Sequence, residues 1–210
     1  MELGGKSPNL LFADCDVQTA VRQGVAHCFR NAGQSCNAAS RMLVERPIYH
    51  QVVDLAAAEA DAMTVGKPFE TGSQIGPLVN AKQFARVRRF IDAGTTSGAR
   101  LVAGGSARPA HLPGGYYVQP TVFADVAPDN ELFQQEIFGP VLTITPVDTE
   151  DDAIRLANAT QYGLAAYIQT NDTDRAERVT SQLHAGMIQI NGTSRAAGAP
   201  FGGVKASGHG

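Results

Sequence analysis

Two short segments of the 210-residue chain carry side chains that together can do covalent chemistry. Cys36 is a lone thiol at the end of a loop of small residues, and Glu2 is a lone carboxylate just ahead of the pair Gly4-Gly5. A cysteine thiolate can attack a carbonyl carbon, and a carboxylate can activate the water that removes the resulting acyl group. Cys36 and Glu2 are therefore candidates for a nucleophile and a general base. From local chemistry alone, a structural thiol and a solvated terminal carboxylate remain the alternatives.

Two further segments are candidates for ligand contact. Residues 136–140, Glu-Ile-Phe-Gly-Pro, combine a carboxylate, an aromatic ring and a turn ahead of an apolar run. The carboxylate of Glu136 can accept hydrogen bonds from ribose hydroxyls, and the ring of Phe138 can pack against a flat group. Residues 200–208 are rich in glycine, but the chain contains no GxGxxG fingerprint for a dinucleotide. Taken alone, each segment is more typical of a structural turn than of a binding site.

Composition excludes several classes of partner. The chain has 17 basic and 20 acidic residues, a formal net charge of -3, and no cluster of Lys or Arg. Nucleic acid and anionic membrane surfaces are therefore not expected as partners. No apolar run approaches the roughly 18 residues that would span a bilayer, and Met1 is not followed by a basic and then hydrophobic signal region. We expect a cytoplasmic protein.

Cysteine and histidine spacing gives no sign of a metal site. The three cysteines are odd in number and show no CxxC spacing, which argues against a disulfide framework and a structural zinc site. The five histidines show neither HxxxH nor HExxH spacing. The sequence therefore predicts reduced thiols and no metal.

Apolar periodicity predicts strands that alternate with amphipathic helices. The predicted strands cover residues 9–13, 42–44, 101–103, 116–123, 141–147, 164–169 and 187–190. The predicted helices follow the capping residues Asp16, Asn80 and Thr149, begin at Pro47, or cover residues 172–183. This alternation indicates an α/β fold with an open, mainly parallel twisted sheet and helices on both faces.

This fold class predicts where the site lies. Open parallel sheets bind ligands beyond the carboxyl ends of their strands, so we expect the Cys36 loop, the turn at 136–140 and the final loop at 191–210 to gather at that edge. A loop that enters a helix at Ala38-Ala39 would put Cys36 at a helix amino terminus, which lowers the pKa of a thiol. Cys28, close to the apolar face of the first helix, is instead typical of a small buried core residue.

In this order, five segments closely resemble the motifs of the NAD(P)-dependent aldehyde dehydrogenase superfamily. The resemblance covers essentially the whole chain, and the spacing from Glu2 to Cys36 is also similar to the spacing in that family. Each segment alone is weak evidence for the resemblance, whereas the five segments in this order are specific to the superfamily. The segments are Glu2-Leu3-Gly4-Gly5-Lys6, Gly33-Gln34-Ser35-Cys36, Glu136-Ile137-Phe138-Gly139-Pro140, residues 158–165 and residues 200–208.

The resemblance implies a role for each matching position. Cys36 would attack an aldehyde to give a thiohemiacetal, which loses hydride to the nicotinamide and becomes a thioester. Glu2 would activate the water that hydrolyses this thioester to a carboxylic acid. Glu136 would hold the nicotinamide ribose, with Phe138 shaping the cofactor site. The cofactor would be NAD or NADP and the substrate a small aldehyde, and the sequence distinguishes neither the nucleotide nor the aldehyde.

One departure from the family pattern limits these expectations. Similar full-length enzymes carry a cofactor-binding domain ahead of the Glu2 motif and an oligomerisation strand after the glycine-rich segment. We therefore expect residues 1–210 to form one catalytic domain that lacks dehydrogenase activity on its own. The full-length form would be a homo-oligomer, a dimer or a tetramer, and the isolated domain would self-associate.

Two other functions stay open at this point. The domain can act as a cofactor-independent thiol esterase, because Cys36 and a water activated by Glu2 need no nicotinamide to open an activated ester. Alternatively, it can be a non-enzymatic domain that only folds or pairs with another polypeptide. The presence of both Glu2 and Cys36 argues against the non-enzymatic alternative.

Overall fold

The computed structural model describes residues 1–194 and 198–209. They form a 7-stranded sheet in the order β3-β4-β5-β2-β1-β6-β7. All neighbouring strands are parallel except β3 and β4, which pair antiparallel. The strands are β1 (Pro8–Leu11), β2 (Arg41–Glu45), β3 (Arg100–Ala103), β4 (Thr121–Ala124), β5 (Val141–Val147), β6 (Ala165–Gln169) and β7 (Met187–Ile190). The predicted mainly parallel α/β sheet is confirmed.

Most of the helices begin where the sequence offers a side-chain cap, whereas the helix that begins at Tyr49 has none. Asp16, Asn80 and Thr149 each accept a hydrogen bond from the backbone N–H three residues later, and Asp172 does the same. These caps satisfy N–H groups that have no partner within the helix. The helices are α1 (Val17–Phe29), α2 (Tyr49–Asp61), α3 (Ala81–Thr96), α4 (Glu131–Gln134), α5 (Glu150–Ala157) and α6 (Thr173–Gln182).

Neighbouring residues on β2 show that helices cover both faces of the sheet. The side chain of Met42 lies against Gly24 of α1. Arg41, one residue earlier, points the other way and donates to the carbonyls of Leu156 and Ala157 in α5. Because successive side chains of a strand alternate between faces, α1 and α5 lie on opposite sides.

Two local expectations differ from the structure. The extended segment predicted at 116–123 joins the sheet only from Thr121, directly after Pro120, which has no N–H to give to a ladder. No helix follows Cys36, since Ala38 and Ala39 lie in irregular backbone before β2. The short helix α4 and the antiparallel pairing of β3 carry no strong periodic signal and were not predicted.

The core confirms the interpretation of Cys28. Its thiol is fully buried and contacts the carbonyl of Val141, and burial raises its pKa to about 12. Cys15 is half-buried, and burial raises its pKa to about 11. Both thiols are therefore poor nucleophiles at neutral pH.

Within the described residues, none of the helices combines the length and the apolar character that crossing a bilayer requires.

Candidate active site

The candidate segments gather at the amino edge of the sheet, opposite to the predicted edge. Gly5 comes just before β1, Cys36 comes before β2, and Glu136 comes before β5. The N–H of Gly5 donates to Oε1 of Glu136 at 3.1 Å, and its Cα lies directly against the carbonyl oxygen of Cys36. Because these strands are parallel, the loops that precede them must meet at one edge. The expected proximity is present, and the expected edge was wrong.

At the carboxyl edge, a side chain of the protein itself bridges the ends of β1 and β6. The strand order changes direction at β1, so the crevice between β1 and β6 is where such sheets ordinarily take a ligand. Here Oδ2 of Asp14 accepts from Thr170 Oγ1 at 2.7 Å and from the N–H groups of Asn171 and Asp172 at 2.7 and 2.9 Å. Arg175 pairs with Oδ1 at 2.7 Å. The carboxylate of Asp14 therefore already occupies the N–H and O–H donors that could otherwise bind an anionic ligand.

Two glycines let the Glu2 segment lie between the Cys36 loop and the Glu136 turn. A Cβ at Gly4 would overlap Oε2 of Glu136, and a Cβ at Gly5 would overlap the carbonyl oxygen of Cys36. Only a residue without a side chain allows this approach. The Gly4-Gly5 pair is therefore the contact that joins the three segments.

We expect Gly5→Ala to lower the free energy of unfolding by about 2–4 kcal/mol, because the added methyl group meets backbone and not a movable side chain. Gly114→Ala is the matched control, since a Cβ there has no neighbour within 4 Å. Urea denaturation of both variants tests the contact. Equal stabilities for the two variants would contradict it.

The Cys36 loop also fits against the Glu136 turn. Gly33, at φ 70°, lies so close to Gly139 that a Cβ would overlap its carbonyl oxygen. Asn31 and Ala32 precede it with φ of 54° and 55°, and Phe138 and Lys205 also have positive φ, 58° and 56°. Side chains other than glycine adopt this conformation at a cost of about 1–3 kcal/mol, and such strain is concentrated at functional sites. These loops are therefore held in shape by the contacts between them.

Helix α3 supports the Glu136 turn from behind. Gln83 donates to the carbonyls of Ile137 and Phe138 at 3.0 and 2.7 Å, and Arg86 donates to the carbonyl of Glu136 at 2.7 Å. These bonds fix the backbone of the turn, and Phe138 is 36% exposed. Sequence reasoning missed Gln83 and Arg86, because nothing in a helical pattern shows which distant turn a polar face will contact.

The Glu136 carboxylate is half-buried, and this burial raises its pKa. The N–H of Gly5 and the charges of Lys6 and Arg86 oppose the rise, because each of them stabilises the ionised carboxylate. Glu136 is thus a partly desolvated carboxylate at the rim of a small cleft. The cleft is lined by Gly5, Gly33, Ser35, Ala38, Ser40, Val141 and residues 136–139.

Cys36 lies half-buried at the edge of a small apolar cluster formed by Ala39, Leu164, Ala165, Tyr167 and Met187. Phe201, from the glycine-rich segment, packs against the same cluster. Sequence reasoning missed Phe201 as a neighbour of Cys36. Of the final loop at 191–210, which the sequence placed near the site, residues 195–197 and 210 lie outside the described residues.

Glu2 is held through its backbone by the glycine-rich segment near the carboxyl terminus. Glu2 forms an antiparallel bridge with Gly208, and the N–H of Leu3 donates to the carbonyl of Ser207 at 3.0 Å. The buried Ser207 hydroxyl donates to the carbonyl of Gly4 at 2.7 Å and accepts from the N–H of Gly163 at 3.0 Å. The side chain of Glu2 is exposed. The first and last motifs therefore form one structural unit.

Comparison with known proteins gives one consistent result. The model of the aldehyde dehydrogenase family matches residues 1–210. The chain is 43% identical over 210 residues to a 3-succinoylsemialdehyde-pyridine dehydrogenase of Pseudomonas sp, covering 100% of this chain and 44% of that protein. It is 40% identical over 211 residues to a chloroplastic betaine aldehyde dehydrogenase of Atriplex hortensis, covering 100% of this chain and 42% of that protein.

Solved structures show the same similarity. An aldehyde dehydrogenase of Bartonella henselae matches 99% of this chain and 44% of its own with a TM-score of 0.97 and 48% identity. A variant of aldehyde dehydrogenase C of Pseudomonas syringae, solved with NAD+ and octanal, matches 100% of this chain and 43% of its own with a TM-score of 0.97 and 45% identity. The chain therefore spans less than half the length of the relatives it matches.

Proposed function

The chain belongs to the aldehyde dehydrogenase family, and we propose that its residues perform the covalent steps by which an aldehyde is oxidised to a carboxylic acid. One observation carries the proposal. Gly5 is hydrogen-bonded to Glu136 and in contact with the backbone of Cys36, so the segment that bears the candidate base joins the candidate nucleophile and the candidate cofactor contact. Cys15 and Cys28, with raised pKa values, are unsuited to the nucleophilic role.

In the first proposed step, the thiolate of Cys36 forms a bond to the aldehyde carbon, and the carbonyl oxygen becomes an alkoxide. The backbone N–H of Cys36 is the proposed donor to this oxygen. NAD(P), when bound, accepts the hydride that leaves the same carbon. The acyl group is then held as a thioester on Cys36.

In the second proposed step, Glu2 removes a proton from a water molecule, and the water oxygen attacks the thioester carbon. The carbon–sulfur bond breaks, which returns the Cys36 thiolate and releases the carboxylic acid. Glu2 suits this role because its backbone is fixed by Gly208 and Ser207 while its carboxylate stays exposed to water.

Glu136 and Phe138 fit the nicotinamide ribose end of a dinucleotide. A half-buried carboxylate whose Oε1 is already oriented by an N–H can accept from vicinal hydroxyls, and an exposed ring beside it offers a flat apolar surface. The chain has no GxGxxG loop for the pyrophosphate. We therefore propose that these two residues contribute to NAD or NADP binding and do not by themselves give tight binding, so that this chain alone is not a dehydrogenase.

We also propose a cytoplasmic location, a homo-oligomeric full-length form and a small aldehyde substrate. Relatives of the chain include chloroplastic and peroxisomal enzymes, so the cytoplasmic location remains a prediction. A homo-oligomeric full-length form and a small aldehyde substrate remain predictions as well. Octanal is the aldehyde in the Pseudomonas syringae complex, and its presence there does not assign a substrate to this chain.

We expect Glu2→Gln in the full-length enzyme to slow thioester hydrolysis by about 10²–10⁴-fold, because an amide cannot accept the proton of the attacking water. Acyl-enzyme should then accumulate as a mass increase on the peptide that contains Cys36. Rapid quenching and peptide mass analysis after one turnover measure it. Glu177→Gln, at an exposed glutamate of α6, is the control. Normal turnover without trapped acyl-enzyme would refute the role of Glu2.

A further inference from the structure

A histidine and a tyrosine hold the Cys36 loop at two backbone positions. The N–H of Ala39 donates to Nδ1 of His27 at 3.3 Å. The hydroxyl of Tyr167 donates to the carbonyl of Asn37 at 2.8 Å and lies 3.3 Å from Nε2 of His27. The two rings are in contact, with centroids 4.7 Å apart. The backbone that follows the candidate nucleophile is therefore fixed from α1 and from β6 at once.

These hydrogen bonds define the protonation state of His27. A backbone N–H can only donate, so Nδ1 of His27 accepts, and the neutral ring carries its proton on Nε2. That proton points to the Tyr167 oxygen, whose own proton is given to Asn37. Burial lowers the pKa of His27, and the charge of Arg30 lowers it further, which favours the neutral ring. Every donor in this series of hydrogen bonds therefore has an acceptor. The series runs from Ala39 through His27 and Tyr167 to Asn37.

The loop depends on these partners because it has no regular secondary structure. Residues 34–40 lie between the end of α1 with its following 3₁₀ turn and the start of β2. Backbone polar groups in such a segment need partners from side chains when they are partly buried. Tyr167 is 5% exposed and packs in the cluster that Cys36 also contacts. Its hydroxyl therefore reaches Asn37 with little freedom to move.

The pair is not simply enclosed by the core. A cavity of about 350 Å³ adjoins both residues. Beside this space, the hydrogen bonds to Asn37 and Ala39 help to fix the orientation of the two rings and of the loop. The cavity is lined by Asn9, Gln23, Gly24, Ala26, His27, Arg30, Ala39, Tyr167, Gln169, Gln189 and Gly192.

We propose that His27 and Tyr167 are positioning residues for Cys36: by fixing Asn37 and Ala39 they orient the thiol and the backbone N–H of Cys36 for attack on the aldehyde. The inference rests on the proposed function, since it assigns these residues to the same reaction. The hydrogen bonds of both side chains are made to the backbone of the loop, at Asn37 and Ala39. Their contribution lies in the chemical step, because they act on the geometry of the nucleophile.

The first measurement needs neither aldehyde nor cofactor. Amide hydrogen exchange of residues 36–40 is compared in the wild type, Tyr167→Phe, His27→Ala and His27→Asn. We expect faster exchange of Ala39 in His27→Ala and restored protection in His27→Asn, because an asparagine oxygen can replace Nδ1 as acceptor. Tyr116→Phe, at a tyrosine that is 39% exposed, is the control. Unchanged exchange in Tyr167→Phe and His27→Ala would overturn the proposal.

The second measurement uses the full-length enzyme. Tyr167→Phe and His27→Ala should lower kcat by about 10- to 100-fold while KM stays within about twofold, since small displacements of a reacting group act on the chemical step. His27→Asn should recover part of kcat, which a general loss of stability would not allow. Unchanged kcat together with faster exchange would overturn the positioning role. A wild type without thiol-dependent activity would instead refute the proposed function, and the exchange data would still stand.

Discussion

Replacing Cys36 by alanine in the full-length enzyme is expected to lower NAD(P)-dependent aldehyde oxidation by at least about 10⁴-fold, because no covalent intermediate can then form. The other thiols cannot substitute, since burial raises the pKa of Cys28 to about 12 and that of Cys15 to about 11. The protein should remain folded, because Cys36 is only half-buried at the edge of a small cluster. Initial rates with saturating aldehyde and cofactor measure the effect.

Cys15→Ala is the matched control for this experiment, since it removes a half-buried thiol outside the amino edge of the sheet. Its rate should equal that of the wild type. Substantial oxidation by Cys36→Ala would show that the nucleophile is a different residue. The same pair of variants in the present chain, given an activated ester and no cofactor, tests the esterase alternative. Equal rates of ester hydrolysis by the wild type and Cys36→Ala would show that the hydrolysis does not depend on Cys36 and is only background.

Local chemistry explains why much of the secondary structure could be predicted. The caps Asp16, Asn80 and Thr149 act within three residues of their own position, and the apolar run of β5 needs no partner to be recognised. The edge of the sheet that carries the site follows from the order of loops and strands, because the Cys36 loop and the Glu136 turn precede the parallel strands β2 and β5. The contact that Asp14 makes at the carboxyl edge is a different matter. Its partner Thr170 is separated from it by 156 residues. No local pattern contains that information.

The candidate site could likewise be predicted only in part from the sequence. The four residues Glu2, Cys36, Glu136 and Phe138 could be chosen because each belongs to a recognisable ordered motif. The supporting residues follow no motif: His27 and Tyr167 are 140 residues apart and meet only through the topology of α1 and β6. A histidine with no metal-binding spacing and a tyrosine in a strand are typical of core residues. Their relation to Cys36 arises from the fold, which places both side chains against the backbone of the Cys36 loop.

Lys6 is another residue whose environment the sequence does not reveal. It follows the Gly4-Gly5 pair, where a surface lysine would be ordinary, yet it is 2% exposed. No acceptor among the described residues lies within hydrogen-bond reach of its Nζ. The adjoining cavity of about 10 Å³ has room for one water molecule at most. Burial, followed by repulsion from Arg41, lowers the pKa of Lys6 to about 7.

Arg41 lies equally deep but is fully paired. Its guanidinium donates to the carbonyls of Lys6, Leu156 and Ala157 at 2.9, 3.0 and 2.9 Å and lies 4.5 Å from the centre of the Phe133 ring. Carbonyls at the carboxyl end of α5 favour this positive charge. Lys6 receives no such compensation, and the charge of Glu136 is among the few contributions that favour its protonated form. Retaining Lys6 therefore costs stability and favours the ionised form of Glu136.

We expect Lys6→Met to raise the free energy of unfolding at pH 7 by about 4 kcal/mol, because methionine fills the same volume without a charge to desolvate. The effect has a defined pH dependence. Between pH 7 and 10.5 the unfolded chain holds a proton on Lys6 that the folded chain has lost, so the wild type gains stability as pH rises. From pH 7 to 8.5 that gain is about 1.5 kcal/mol, and Lys6→Met should lack it. Lys82→Met, at an exposed lysine of α3, should keep it.

Urea denaturation of the three proteins at pH 7 and 8.5 separates the possible results. A lower stability of Lys6→Met at both pH values would mean that the ammonium has a partner and is not isolated. A stability gain with unchanged pH dependence would place the titrating group elsewhere. In the full-length enzyme the same substitution should weaken cofactor binding, because Glu136 loses a neighbouring positive charge that favours its ionised form. Higher stability combined with weaker cofactor binding would show that Lys6 destabilises the fold and supports the candidate site.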